Sequence, residues 1–136
     1  MDICDKLINL RIMLTMMCDG FSAGSGSKDL ILSTRLKILC LLSDKDLSPA
    51  ELISTIGVAK SNLANLSKSM IDDGVIESYK TADNLRHVYY RITSKGADEL
   101  KVYKSALLEL ITDQSKYDIG GIEKNIDSLI SAIKRK

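Results

Sequence analysis

The sequence is poor in the side chains on which metal and catalytic sites are built. Its one histidine, His87, lies far along the chain from Cys4, Cys18 and Cys40, and three cysteines without metal-ligand spacing argue against a structural zinc site. There is no nucleophile elbow, no Gly-Lys-Ser/Thr phosphate cradle and no carboxylate pair on a cleft-forming pattern, so neither catalysis nor a cofactor is expected. An odd number of cysteines with no framework reads as reduced thiols, and Cys40, inside the run LKILCLL, is expected to be a small core residue. No uncharged apolar run reaches about 18 residues, and no basic segment followed by a cleavable apolar core opens the chain. No membrane partner is expected, and the location read from this is cytoplasmic. Charge of neither sign dominates: 19 Lys+Arg face 18 Asp+Glu, so any charged surface must be local.

What remains is a chain of 136 residues that is 45% hydrophobic, enough for one modest core in a single globular unit. From Ile3 to Met17, apolar residues at alternating spacings of four and three (Ile3, Leu7, Leu10, Leu14, Met17) predict a helix with one continuous seam, widened by Ile8, Ile12, Met13 and Met16. CDGFSAGSGSKD, with its three glycines and repeated serines, then reads as a flexible loop. Helix is expected again from about Leu30 to Leu42, with Leu32, Leu36, Leu39 and Cys40 inward. In SPAELISTIG, Ser48 can cap the first free amides, Pro49 suits the first helical position, Glu51 completes a capping box and Gly57 can end the helix in a left-handed conformation.

The stretch GVAKSNLANLSKSMIDDG follows, and its helical outer face carries no glutamate. Ala59, Leu63, Leu66 and Met70 form a stripe that can pack inward, with Ser61, Ala64, Asn65 and Lys68 opposite. After Gly74, VIESYK and HVYYRI read as two strands joined by the polar tip TADNLR. A helix beginning at Thr93 or Ser94 repeats the seam through Leu100, Tyr103, Leu107 and Leu110. After a break at YDIGG, a last helix carries Ile119 or Ile122, then Ile126, Leu129 and Ile133.

Helix, short capped helix, tight turn, helix with a small polar face and then a hairpin is the order of a winged helix-turn-helix. A helix entering the major groove must be thin on its outer side, because the groove is about 12 Å wide. Ser61, Ala64 and Asn65 supply that thinness. Asn65 offers a donor and an acceptor together, matching the adenine edge, while Lys60, Lys68 and the neighbouring Ser61 and Asn62 can reach phosphate or base. Across residues 59–95, six basic groups (Lys60, Lys68, Lys80, Arg86, Arg91, Lys95) outnumber four acidic ones (Asp72, Asp73, Glu77, Asp83). At the hairpin tip, Arg86 with Asn84 and Lys80 nearby can extend into a minor groove, where narrow A·T tracts concentrate negative potential.

LSTRLKILCLL, LSPAELISTIGVAKSNLANLSKSMIDDGVIE and the hairpin ending RHVYYRITSKG together resemble the DNA-binding core of the MarR family of transcriptional regulators, over about residues 30–96. The most specific element is the terminal Ile-Thr-x-x-Gly, here Ile92, Thr93 and Gly96, preceded by Arg86. Two departures stand out: Asn84 where the family usually has an aspartate, and Ala59 where a capping side chain is commoner. The resemblance implies a mainly α fold with a small β-hairpin wing. It also implies three parts: an N-terminal dimerisation helix and loop over 1–29, the winged core over 30–96, and C-terminal dimerisation helices over 97–136.

It further implies a homodimeric repressor that binds a near-palindromic operator in double-stranded DNA and, in many relatives, responds to a small-molecule effector. The DNA contacts expected from the helix face and the hairpin tip are Lys60, Ser61, Asn62, Ala64, Asn65, Lys68, Lys80, Asn84 and Arg86. Low aromatic content, 4%, is a poor match to a rich stacking pocket, although Tyr103 and Tyr117 can border one. A related branch senses oxidants through a cysteine of the first helix, for which Cys4 and Cys18 are the candidates here. The other alternative is a winged helix that docks proteins and never meets DNA.

Overall fold

The computed structural model describes residues 2–25, 34–109 and 116–133, the first of these with side chains through Leu14. Helices α1 (Ile3–Ser25), α2 (Thr34–Asp44), α3 (Pro49–Ile56) and α4 (Lys60–Asp72) precede strands β1 (Ile76–Thr81) and β2 (Asn84–Ile92). Helices α5 (Ser94–Glu109) and α6 (Ile119–Ala132) follow. The described residues are thus mainly helical with an antiparallel two-stranded sheet, as the sequence pattern predicts.

The core gathers where α2 to α5 and the hairpin meet. Ile38, Leu39 and Leu42 of α2 pack with Leu52 of α3, Leu63 and Met70 of α4, Val75 and Ile76 at the start of the hairpin, and Leu100 of α5. Each large side chain withdrawn from water in this way contributes roughly 1.5–3 kcal/mol. Local chemistry fixes the helix-turn-helix. Ser48 Oγ accepts the Glu51 amide at 3.2 Å, Pro49 occupies the first turn, and Gly57 closes α3 at φ 80°, its N–H donating to Ile53 O at 2.8 Å.

Four expectations need correction. The glycine-rich segment does not start as a loop, since α1 continues through Gly20 and Gly24 to Ser25. Once the preceding turns exist, each further residue gains a helical hydrogen bond at little added cost, which offsets glycine's penalty of about 1 kcal/mol. Cys40 is exposed, because Ile38, Leu39 and Leu42 define the inward arc of α2 and Cys40 falls roughly opposite to it. Ala59 is an exposed extended residue that precedes α4, and the third buried position of that helix is Ser67. Finally, Asp118 caps α6 by accepting the Gly121 amide at 3.1 Å, so the two glycines of YDIGG belong to its first turn and the break ends at Asp118. Leu30, Leu32 and Leu110 lie outside the described residues.

Candidate nucleic-acid interface

Helix α4 presents the surface that the sequence pattern predicts. Leu63, Ser67 and Met70 are buried, while Lys60, Ser61, Asn62, Ala64, Asn65 and Lys68 are all exposed. Between Lys60 and Ile71 the helix contains no acidic residue. No side chain caps its N-terminus, because Ala59 has none to offer. Donors of the first turn, beside Lys60, are therefore available to an anionic oxygen from outside the chain.

The wing rises next to this helix. Its strands pair in register from Ile76 with Ile92 to Lys80 with Val88; Thr81 then pairs with Asn84, so Leu85, Arg86 and His87 bulge from the second strand. Asn84 Oδ1 accepts the backbone N–H of Arg86 at 3.2 Å. The asparagine thus shapes the backbone beneath the wing arginine, a task its short polar side chain performs without a charge. Lys80, Asn84 and Arg86 are all exposed.

Arg86 and Lys60 come together across a groove of about 770 Å³, walled by the first turns of α3 and α4 and by β2. Pro49, Ala64, His87 and Tyr90 also line it. Ser61, Asn62, Asn65 and Lys68 lie outside the groove on the exposed face of α4, and Lys80 and Asn84 lie outside it on the hairpin. His87 was not among the residues that sequence reasoning placed at the interface. Its only signal was adjacency to Arg86.

Behind the exposed face, polar contacts brace the frame. Tyr90 pairs its backbone with Leu47 in both directions, at 2.8 and 3.3 Å, which ties the segment leading into α3 to the wing. Its hydroxyl donates to Ser67 Oγ at 3.2 Å, and Ser67 donates in turn to Ala64 O at 3.2 Å. Tyr79 donates to Asp46 at 2.6 Å, and this bond to a carboxylate holds its phenol above the ordinary range. Arg91 pairs with Glu77 and sits over the Tyr79 ring, 4.8 Å from its centroid, so this basic group of the wing is already engaged.

A second set of contacts fixes where α5 leaves the wing. Thr93 Oγ1 donates to Gly74 O at 2.6 Å and accepts the Gly96 amide at 3.1 Å. The Ile-Thr-x-x-Gly element is therefore a helix cap bonded to the α4–β1 turn. Arg35 meets Glu99 through two bonds of 2.9 Å and Asp73 through one of 2.7 Å, joining α2, α5 and the end of α4. Its pKa is raised, chiefly by the Glu99 bonds, with burial opposing and Asp73 adding to the rise. Apart from the local Thr93–Gly96 cap, these pairings join residues distant along the chain, and none was read from the sequence.

Cys4 is exposed on α1. Cys18 lies on the same helix, but its side chain lies outside the described residues. No helix among the described residues is long and apolar enough to cross a membrane.

Two helices joined by a tight turn, a groove shared by Lys60 and Arg86 and a hairpin wing, flanked by terminal helices, make a winged helix-turn-helix of the MarR type. Solved structures of that fold superpose over almost the whole chain. Wild-type apo MarR from E. coli matches with a TM-score of 0.71 at 12% identity, covering 98% of this chain and 98% of that one. A point mutant of MepR from S. aureus matches with a TM-score of 0.68 at 14% identity, covering 98% of this chain and 100% of that one. The transcriptional regulator BldR from Sulfolobus solfataricus matches with a TM-score of 0.65 at 17% identity, again covering 98% and 100%. No protein-family model and no curated protein sequence matches the chain.

Proposed function

We propose that this protein is a dimeric, sequence-specific DNA-binding regulator of transcription, a repressor that acts in the cytoplasm and carries no catalytic activity. The observation that carries the reading is the exposed, acid-free face of α4 standing beside a wing whose Arg86 shares a groove with Lys60. In this reading α4 lies in the major groove, with Asn65, Ser61, Asn62 and Ala64 against base edges and Lys60 and Lys68 on phosphates. Arg86, set by Asn84 and flanked by Lys80, reaches the adjacent minor groove.

The winged core of residues 30–96 is the DNA-binding part, and the flanking segments form the dimer. Supporting this division, α1 exposes Ile3, Leu7, Ile8, Leu10, Ile12, Met13 and Leu14, and α6 exposes Ile122, Ile126 and Ile130, with Ile133 exposed just past its end. Apolar stripes of that extent exceed what a monomer ordinarily leaves in water. A twofold dimer then pairs two wings and two copies of α4 with a near-palindromic operator. A small-molecule effector lodged between the DNA-binding lobe and the dimer helices would change the affinity for DNA.

Titration with duplex DNA at two salt concentrations tests the reading. Phosphate contacts make log affinity fall linearly with log salt, whereas an apolar protein-docking surface is nearly indifferent to salt. Absence of duplex binding at low salt would overturn the proposal in favour of a docking module.

A further inference from the structure

Ser67 is the one buried polar side chain among the described residues, 3% exposed, and it sits on the inward face of α4 between Leu63 and Met70. An apolar residue would fill that position without needing a partner. The serine has two: it donates to Ala64 O within its own helix and accepts the Tyr90 hydroxyl from β2. Tyr90 is itself the point where three elements join. Its backbone exchanges two hydrogen bonds with Leu47 ahead of α3, its ring packs against the core, and it borders the groove shared by Lys60 and Arg86.

Apolar packing alone fixes the distance of a helix from its neighbours better than its rotation, because dispersion contacts are short-ranged but not directional. A hydrogen bond is directional and weakens steeply when bent. Turning α4 by about 10° moves a side-chain tip some 6 Å from its axis by about 1 Å. Base-edge hydrogen bonds do not survive such a displacement, whereas the attraction between lysine and phosphate barely notices it.

We infer that the Tyr90–Ser67 hydroxyl pair is a positioning couple, which holds α4 at one rotation against the wing and so sets sequence discrimination without touching the duplex. The inference rests on the DNA-binding reading above. Sequence preference should therefore depend on two hydroxyls that lie behind the interface.

Fluorescence anisotropy on full-length protein tests it, using the duplex selected by the parent from a random pool and a shuffled duplex of the same composition. Tyr90→Phe and Ser67→Ala each keep the packing and remove one hydroxyl. Each is expected to lower the preference for the selected duplex by roughly two- to tenfold, with affinity for the shuffled duplex unchanged. The double variant is expected to fall no further than the single ones, since the two residues act as a unit. A parent that prefers its selected duplex while both variants prefer it equally overturns the inference alone. Parallel weakening on both duplexes, accompanied by a lower melting temperature, also overturns it, because that is what a merely structural pair does. A parent with no preference for any duplex overturns the DNA-binding reading and the inference with it.

Discussion

Gly96 lies so close to the Val75 backbone that a Cβ built on it would stand 2.1 Å from the Val75 carbonyl oxygen and 2.8 Å from the Ile92 side chain. The contact is between main chains and cannot be relieved by a rotamer change. It is the physical content of the glycine in Ile-Thr-x-x-Gly: the first turn of α5 must press against the α4–β1 connection for Thr93 to bond Gly74 and cap the helix.

Gly96→Ala is accordingly expected to destabilise the fold by about 1–3 kcal/mol, the usual cost of overpacking a tight contact. Urea unfolding checks this. A midpoint equal to that of the parent would mean that α5 and the turn can separate freely.

The Arg35 cluster is unequal in its two arms. Glu99 is about one-quarter exposed and is held by two bonds, whereas Asp73 is half exposed and held by one. Glu99→Gln is expected to cost about 1.5–3 kcal/mol and Asp73→Asn less than about 1 kcal/mol. Thermal or urea unfolding of the two variants side by side would expose a reversed order.

Tyr79 supplies a pH dependence with a definite sign. Its bond to Asp46 favours the neutral phenol in the folded state, so its pKa is raised above the ordinary value of 10.0. The associated stability is complete below the unfolded pKa and is lost as pH rises through the higher, folded value. In ultraviolet titration of tyrosinate, Asp46→Ala should bring one tyrosine's midpoint down towards the ordinary range. An unchanged titration curve would remove the bond from the account.

The legible parts of this fold were those written locally. Ser48, Pro49 and Gly57 lie within ten residues of one another, and each acts on backbone groups a few positions away, so the α3 boundaries could be read directly. The exposed face of α4 followed from helical spacing alone. Ser67 was equally within reach of that spacing, four residues after Leu63 and three before Met70, but its polarity hid its place on the buried stripe. Cys40 misled in the opposite way, since an apolar neighbourhood in sequence does not say which arc of the helix turns inward. The bonds Arg35–Glu99, Tyr79–Asp46 and Tyr90–Ser67 span 64, 33 and 23 residues, and no local pattern encodes such partners.

At the terminal helices the exposed apolar residues make the oligomeric state testable. Ile126, half exposed in the single chain, lies on the α6 stripe assigned to the dimer. Ile126→Asp would place a charge inside an apolar interface and is expected to shift sedimentation equilibrium to the monomer. A variant that remains as associated as the parent would place the interface elsewhere.

On the proposed DNA-binding reading, two residues of the exposed α4 face separate discrimination from attraction. Asn65→Ala is expected to cost about 1–3 kcal/mol on the preferred duplex and to relax its sequence. Lys68→Ala should weaken all duplexes alike and reduce the salt slope by about one. Competition binding against selected and shuffled duplexes tells the two effects apart. Variants that bind as tightly as the parent would show that another face meets the partner.

Selection from a pool of random duplexes at two salt concentrations, followed by sequencing of the bound fraction, decides whether α4 and the wing of a twofold dimer read DNA. Enrichment of a near-palindrome is expected, with half-sites about one helical turn apart and an affinity that falls steeply with salt. Recovery of an unenriched pool, or no retention of duplex even at low salt, would contradict the DNA-binding reading.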